Sequence, residues 1–341
     1  MPYFSVITPS FNQGRYLAAC LESVKQQGGD EYEHIVIDNC STDETREVLA
    51  AWSQDPYLTV IIEPDKGQSE AVNKGFRLAQ GEIICWLNSD DAYPPETFRK
   101  LRNVFSNPEI NVVFGDAVQV FDDEKNSPQR VISKFSNRYD FIRWWSSRVR
   151  LHQPAIFFRR SVIESVGLLH EELHYAMDYE YWWRMSEHYH FHYVSEILAI
   201  QHRQLDSKTM KAWDRVLEER EKIFSPYYDL LKEKKSDLQQ ERAATLAQHY
   251  LLQSYSVVSS NRSEALRYLK KAWQESPRHV LQWSSLGLLK SFCFSYLLRI
   301  SFRKFMRWSF FLWQVDREQR YAYITSPRAT QPEEKETSRN S

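Results

Sequence analysis

Five consecutive apolar residues, Ile83-Ile84-Cys85-Trp86-Leu87, end without transition in Asn88-Ser89-Asp90-Asp91, and this junction constrains the fold more than any other stretch. A run that is apolar at both parities does not suit a half-exposed strand. It predicts a strand covered on both faces, as at the centre of a parallel sheet. Its acidic end then falls at the carboxyl edge of a central strand, where open α/β sheets bind ligands.

The neighbouring pattern agrees. Tyr3 to Ile7 predicts a strand, followed by Leu17, Cys20, Leu21 and Val24 at helical spacing. His34 to Ile37 predicts a second strand, Ser41-Thr42-Asp43-Glu44 a capping-box start for a helix carrying Val48, Leu49 and Trp52, and Thr59 to Ile62 a third strand. Ser69 to Gln80 predicts a helix capped by Gly81. Alternation of this kind specifies an α/β sheet. Beyond about residue 205 the strand signals stop, and Gln239 to Val258 with Ser263 to Glu275 predict a helical pair. The expected division is a catalytic domain over 1–210, a helical region over 211–320, and a polar disordered tail over 321–341.

A net charge of −1 argues against a nucleic-acid partner. Between Arg262 and Arg320, however, 12 Lys and Arg face four Asp and Glu. Within that stretch Leu286 to Trp313 is rich in Phe, Leu and Trp, but its cations rule out a spanning helix. Arg299, Arg303 and Arg307 form a basic stripe that suits either peripheral contact with an anionic membrane or a helix packed with its arginines in water. Cys20, Cys40, Cys85 and Cys293 show no paired or zinc-like spacing, as expected of reduced thiols. The chain opens directly into a strand pattern with no signal-peptide pattern before it, so a cytoplasmic location is expected, with the inner membrane face as a peripheral site.

Four motifs occur in order: Thr8-Pro9-Ser10-Phe11-Asn12, Val36-Ile37-Asp38-Asn39-Cys40-Ser41-Thr42-Asp43, Glu63-Pro64-Asp65-Lys66-Gly67-Gln68 and Leu87-Asn88-Ser89-Asp90-Asp91. Together they resemble the family 2 inverting glycosyltransferases of the GT-A fold, over roughly residues 3 to 210. The resemblance implies a mixed sheet flanked by helices, with a Rossmann-like half that binds a nucleotide-sugar donor. It also implies that Pro9 lines the nucleotide pocket and that Asp38 and Asn39 meet the base. Many relatives carry two aspartates at that pair; Asn39 can still accept from uracil N3–H and donate to O4, which favours a UDP-sugar. Asp65, Gln68 and Asn73 belong to the implied donor-facing loop and helix. By the same resemblance Asp90 and Asp91 are expected to divide ribose contact and metal ligation, with Asp91 the ligand for Mg²⁺ or Mn²⁺, while Asn88 stands where relatives often carry a further aspartate.

Inverting displacement needs a base for the acceptor hydroxyl. Within Ala176-Met177-Asp178-Tyr179-Glu180-Tyr181-Trp182-Trp183-Arg184, Asp178 matches the family's base, and His152 before the strand Ala155 to Phe158 matches a position near the acceptor cleft. At Gln201-His202-Arg203-Gln204-Leu205-Asp206-Ser207, relatives often show Arg-x-His-x-x-Ser; Gln204 takes the histidine's place, and His202 the arginine's. The implied enzyme is an inverting hexosyltransferase of polysaccharide biosynthesis, with a glycan, lipid-linked or protein acceptor. Two other readings compete: a nucleotidyltransferase acting on sugar phosphates, for which the first strand lacks a Gly-rich phosphate loop, and a non-catalytic sugar-nucleotide-binding protein.

Overall fold

The computed structural model describes residues 1–283 apart from 30, 123–126, 147, 204–211, 232 and 259–260. Two compact units are distinguished, Met1–Arg242 and Ala243–Ser341.

The first unit is built on an eight-stranded mixed sheet. Strands β1 (Phe4–Ser10), β2 (Tyr32–Asp38), β3 (Leu58–Ile62) and β4 (Ile83–Trp86) are parallel, in the order β3-β2-β1-β4. The sheet continues through β7 (Ile156–Arg159), antiparallel to both β4 and β5 (Val112–Phe121). β5 also pairs with β6 (Gln129–Val131) and, in parallel, with β8 (Phe191–Arg203). As the unbroken apolar run predicts, all four residues of β4 are buried.

Helices α1 (Gly14–Lys25), α2 (Thr45–Ala51), α3 (Gln68–Leu78) and α4 (Thr97–Phe105) connect the first strands. α1 buries Leu17, Cys20, Leu21 and Val24, the stripe expected from their spacing. α3 approaches β1 so closely that a Cβ on Gly75 would lie 2.3 Å from Ile7 Cγ2, so only glycine fits there. Two predicted boundaries shift. Ser41 is taken by Asp38, and α2 begins instead where Asp43 accepts from the Thr45 N–H at 3.1 Å. α3 ends before Gly81, which serves as a close contact: its N–H donates to Ser5 Oγ at 2.8 Å, and a Cβ there would sit 2.7 Å from the Phe4 backbone.

The second half of the sheet carries α5 (Tyr139–Ile142), a 3₁₀ turn (Gln153–Ala155), α6 (Ser161–Val166) and α7 (Met177–His188). α7 lies against the central strands through Trp182, whose ring is 6.2 Å from that of Trp86. Both indoles are buried, and burial of large apolar side chains contributes about 2 kcal/mol or more each.

The first unit runs past residue 210 to Arg242 because α8 (Trp213–Phe224) joins it. Phe224 is fully buried, its ring stacked 6.4 Å from Phe141 and edge-on 6.0 Å from Trp183. A 3₁₀ segment (Ser225–Leu230) follows, then α9 (Lys235–Val257). In the second unit α10 (Arg262–Glu275) is capped by Asn261, whose side chain accepts from the Glu264 N–H, and α11 (Pro277–Trp283) follows. Ser254 Oγ donates to Ala265 O at 2.8 Å, joining the predicted helical pair. The aromatic and basic stretch Leu286 to Trp313, the tail and Cys293 lie outside the described residues. Among the described residues no helix is long and apolar enough to cross a membrane.

Candidate active site

The site forms at the carboxyl ends of β1, β2 and β4. Pro9 is buried at the end of β1, and just past the strand Asn12 adopts a left-handed conformation (φ 52°), its Oδ1 accepting from the Thr42 N–H at 2.8 Å. Asp38 spends both carboxylate oxygens on Ser41, accepting from its N–H at 2.8 Å and its hydroxyl at 2.5 Å. Asp38 therefore shapes the loop after β2 from within. Asn39 Oδ1 accepts from the Asp65 N–H at 2.9 Å, and Asp65 in turn accepts from Gly67 at 2.9 Å. Burial raises the Asp65 carboxyl above its ordinary range.

The start of α3 faces the segment that leads to α7. Ser69 Oγ donates to Leu173 O at 2.9 Å. Asn73, assigned to the donor by resemblance, has both ends of its amide occupied at 2.9 Å by the Leu169 backbone, and it fastens helix to loop. Lys74 is engaged by Glu63 at 2.9 Å and Glu70 at 3.5 Å, a surface ion pair rather than a free cation.

Asn88 is the hub after β4. Its Oδ1 accepts from Gln68 Nε2 at 2.8 Å and Trp86 Nε1 at 3.0 Å, while its Nδ2 donates to Gln153 Oε1 at 2.9 Å. Gln153 Nε2 then donates to Trp86 O at 2.6 Å. One amide thus ties α3 and β4 to the turn before β7, a junction that needs donation and acceptance at one side chain.

The aspartates beyond Asn88 are pinned from the other half of the sheet. Ala92 and Ile200 exchange backbone hydrogen bonds of 2.9 and 2.8 Å, which brings the end of β8 to the acidic turn. Asp91 Oδ1 accepts from the His202 N–H at 3.1 Å, and His202 Nδ1 lies 2.6 Å from Asp90 O. A carbonyl only accepts, so Nδ1 carries the proton. Burial pushes the Asp91 carboxyl well above the usual range, and the charge of Asp90 pushes it further; Asp90 is also raised, chiefly by burial. Two acids raised together are a donor set that a cation would relieve. Among the described residues no three His, Cys, Asp or Glu side chains cluster closely enough to hold one by themselves. Asp90 and Asp91 could hold a cation only if it took further oxygens from outside these side chains, as Mg²⁺ commonly does from waters and ligands.

Asp178 is the second residue of α7, its Oδ1 accepting from the Tyr179 N–H at 2.8 Å. Burial raises its carboxyl and Arg220 opposes the rise. Glu180 is paired with Arg184 at 2.6 Å, which also donates to Val166 O and Leu168 O, so it braces the loop before α7. The Arg203 guanidinium is within electrostatic range of both the Asp91 carboxylate and the Tyr179 phenol, so the acidic turn and the start of α7 border one region. His152 is buried, 3.4 Å from Gln201 Oε1 through Nδ1, with Nε2 unpartnered; burial pushes it down to about 4, so it is neutral at pH 7.

Residues 5–167 match the family model for glycosyl transferase family 2. These residues are a family 2 glycosyltransferase domain. The PGL/p-HBAD biosynthesis glycosyltransferase of Mycobacterium tuberculosis is 29% identical over 170 residues, covering 49% of this chain and 62% of the relative. The chain thus spans about three fifths of the length of the curated relatives it matches. Among solved structures, S. aureus TarS 1-349 in complex with UDP-GlcNAc superposes with a TM-score of 0.53 at 19% identity, over 82% of this chain and 83% of that one. A mannosyltransferase from Pyrobaculum calidifontis in complex with GDP-Man and Mn²⁺ gives 0.51 at 18% identity, over 85% of this chain and 81% of that one. Both share the GT-A type fold.

Asp178, His202 and Arg203 lie beyond the residues that define the glycosyltransferase family model. Sequence reasoning placed no role on Gln153, Arg203, Glu219 or Arg220. Gln153 directly follows His152 and Arg203 lies within the motif at 201–207, whereas Glu219 and Arg220 sit in an ordinary charged helical stretch that carries no signal at all. Gln204 and Ser207 of the last motif lie outside the described residues.

Proposed function

We propose that this protein is an inverting, metal-dependent glycosyltransferase that moves a sugar from a UDP-sugar to an acceptor hydroxyl. The observation that carries the reading is the meeting of the Asp90-Asp91 turn with the end of β8, with Arg203 in electrostatic range of both Asp91 and the residue next to Asp178.

Asn39 Oδ1 keeps a second lone pair beside its bond from Asp65, enough to accept from uracil N3–H. UDP-GlcNAc is bound in the TarS structure, which supports uridine as the base, whereas the mannosyltransferase carries a guanosine donor. Mg²⁺ or Mn²⁺, held by Asp91 with Asp90 beside it, would supply charge neutralisation to the diphosphate. Asp178 accepts the proton of the acceptor hydroxyl as its oxygen forms the bond to the anomeric carbon. The bond from that carbon to the diphosphate oxygen breaks on the opposite face, and the nucleoside diphosphate leaves with the electron pair. Neutral His152 adds no charge near the incoming alcohol. The donor already carries a good leaving group, so a second carboxylic acid of the glycosidase kind has no task here.

The test is a panel of nucleotide sugars assayed for hydrolysis with and without EDTA, alongside Asp178→Asn. The expected result is hydrolysis that needs the metal, abolished by Asp178→Asn with UDP binding retained. A variant that hydrolyses at the wild-type rate overturns the base assignment, and EDTA-insensitive turnover overturns the metal.

A further inference from the structure

Helix α7 begins without a side-chain cap of its own: Ala176 stands at the N-cap position, where Ser, Thr, Asp or Asn is preferred. A carboxylate from another helix supplies what is missing. Glu219, in α8, accepts from three successive backbone N–H groups, His174 at 2.9 Å through Oε1, and Tyr175 at 2.7 Å and Ala176 at 2.9 Å through Oε2. Those amides form the turn immediately before Asp178. A negative charge at a helix N-terminus is also favoured by the helix dipole.

The next residue of α8 is equally out of the ordinary. Val216, Arg220 and Phe224 follow at intervals of four, and Val216 and Phe224 are buried, so Arg220 stands on the inward stripe where an apolar residue is expected. Its guanidinium lies 4.2 Å from the centre of the Tyr179 ring, and its Nε is buried without a hydrogen-bond partner. Arg215, one turn before Glu219, reaches the Tyr175 hydroxyl at 3.4 Å. Three charged residues of one helix therefore converge on four residues that flank the base, His174, Tyr175, Ala176 and Tyr179.

We infer that Glu219 is a positioning residue for sugar transfer, fixing the His174–Ala176 turn so that Asp178 meets the acceptor, with Arg220 packed on Tyr179 as its second anchor. The inference rests on Asp178 being the base. It assigns α8 a part in the reaction, although that helix lies beyond the residues of the family model. The groups facing Asp178 from α8 are Arg220, which lowers its pKa, and Glu219, which raises it; on its own helix the Tyr179 N–H lowers it. The two α8 charges thus act on the base in opposite directions.

The experiment uses the full chain with Glu219→Gln, Glu219→Ala, Arg220→Gln and Asp178→Asn. Glu219→Gln keeps the length and one acceptor oxygen, so it preserves the test should Glu219→Ala fail to fold. Amide hydrogen exchange at residues 174–180 is expected to quicken in Glu219→Gln while exchange in β1 and β4 stays as in wild type; unchanged exchange at 174–180 overturns the inference and requires no donor. In hydrolysis of the UDP-sugar that the panel identifies, Glu219→Gln lowers kcat about tenfold or more with Kd for UDP unchanged, the scale expected when a reacting group is held loosely. The acid limb of the pH profile moves to lower pH in Glu219→Gln and to higher pH in Arg220→Gln; movement of both in one direction overturns the inference. If Asp178→Asn is inactive and Glu219→Gln retains wild-type kcat, only the positioning role falls. If Asp178→Asn is active, the base assignment itself falls.

Discussion

The two halves of the sheet solve the same problem differently. On one side, β1 to β4 run parallel, and β1, β2 and β4 each deliver a motif directly from the carboxyl end: Thr8-Pro9-Ser10 from β1, Asp38-Asn39 from β2, Asn88 to Asp91 from β4. On the other side each candidate residue depends on a contact with a distant element. His202 arrives through the Ala92–Ile200 bridge, Asp178 through a turn clasped by Glu219, and Gln153 through an amide bond to Asn88. Parallel strands make a site out of local sequence, whereas mixed strands make it out of long-range contacts.

The sharpest way to break this comparison is at the indole pair that joins the halves. Trp182→Ala removes a side chain 1% exposed and is expected to lower stability by about 3–5 kcal/mol, read as the midpoint of urea unfolding. A much smaller loss would mean that α7 is held by the Glu219 turn rather than by Trp86. Asp91→Asn addresses the acidic turn while keeping an acceptor for the His202 N–H: metal-dependent UDP binding, measured by calorimetry with Mn²⁺, should weaken about a hundredfold. Gly75→Ala places a Cβ against Ile7 and should cost about 1–3 kcal/mol, since α3 and β1 must part; the melting temperature reports it.

The smallest expected effect is on pH dependence. Each half holds one buried neutral histidine: His34, pushed down to about 3 by burial and 2.9 Å from Thr8 Oγ1, and His152, pushed down to about 4. Unfolded, each imidazole takes up a proton near pH 6.5 that the fold refuses, so their contribution is complete above that pH and is lost as pH falls toward 4. His34→Gln and His152→Gln should each flatten the fall of melting temperature between pH 6.5 and 4; a fall as steep as in wild type removes that histidine from the account.

How far the sequence could be read follows the same divide. The apolar run Ile83 to Leu87 and the stripe of α1 set the parallel core, because period and burial are local properties. The motif residues of the parallel side are legible because each lies in the last residues of its strand or within five of its end. By contrast, the 13 residues of β8 alternate poorly, since the strand passes a register shift where Gly115 leaves room for Leu198. The inward arginine of α8 could not be understood without Tyr179 beside it. That charged helix lies in the first compact unit, which runs to Arg242.

The amide hub at Asn88 has an evolutionary corollary. Asn88 donates to Gln153, and Gln153 donates onward to Trp86 O. An aspartate at 88 would have no proton for Gln153, and turning the Gln153 amide to compensate would set its oxygen against the Trp86 carbonyl. Placing an aspartate at 88 is therefore not a single step: the two positions form an epistatic pair, each limiting what the other can be.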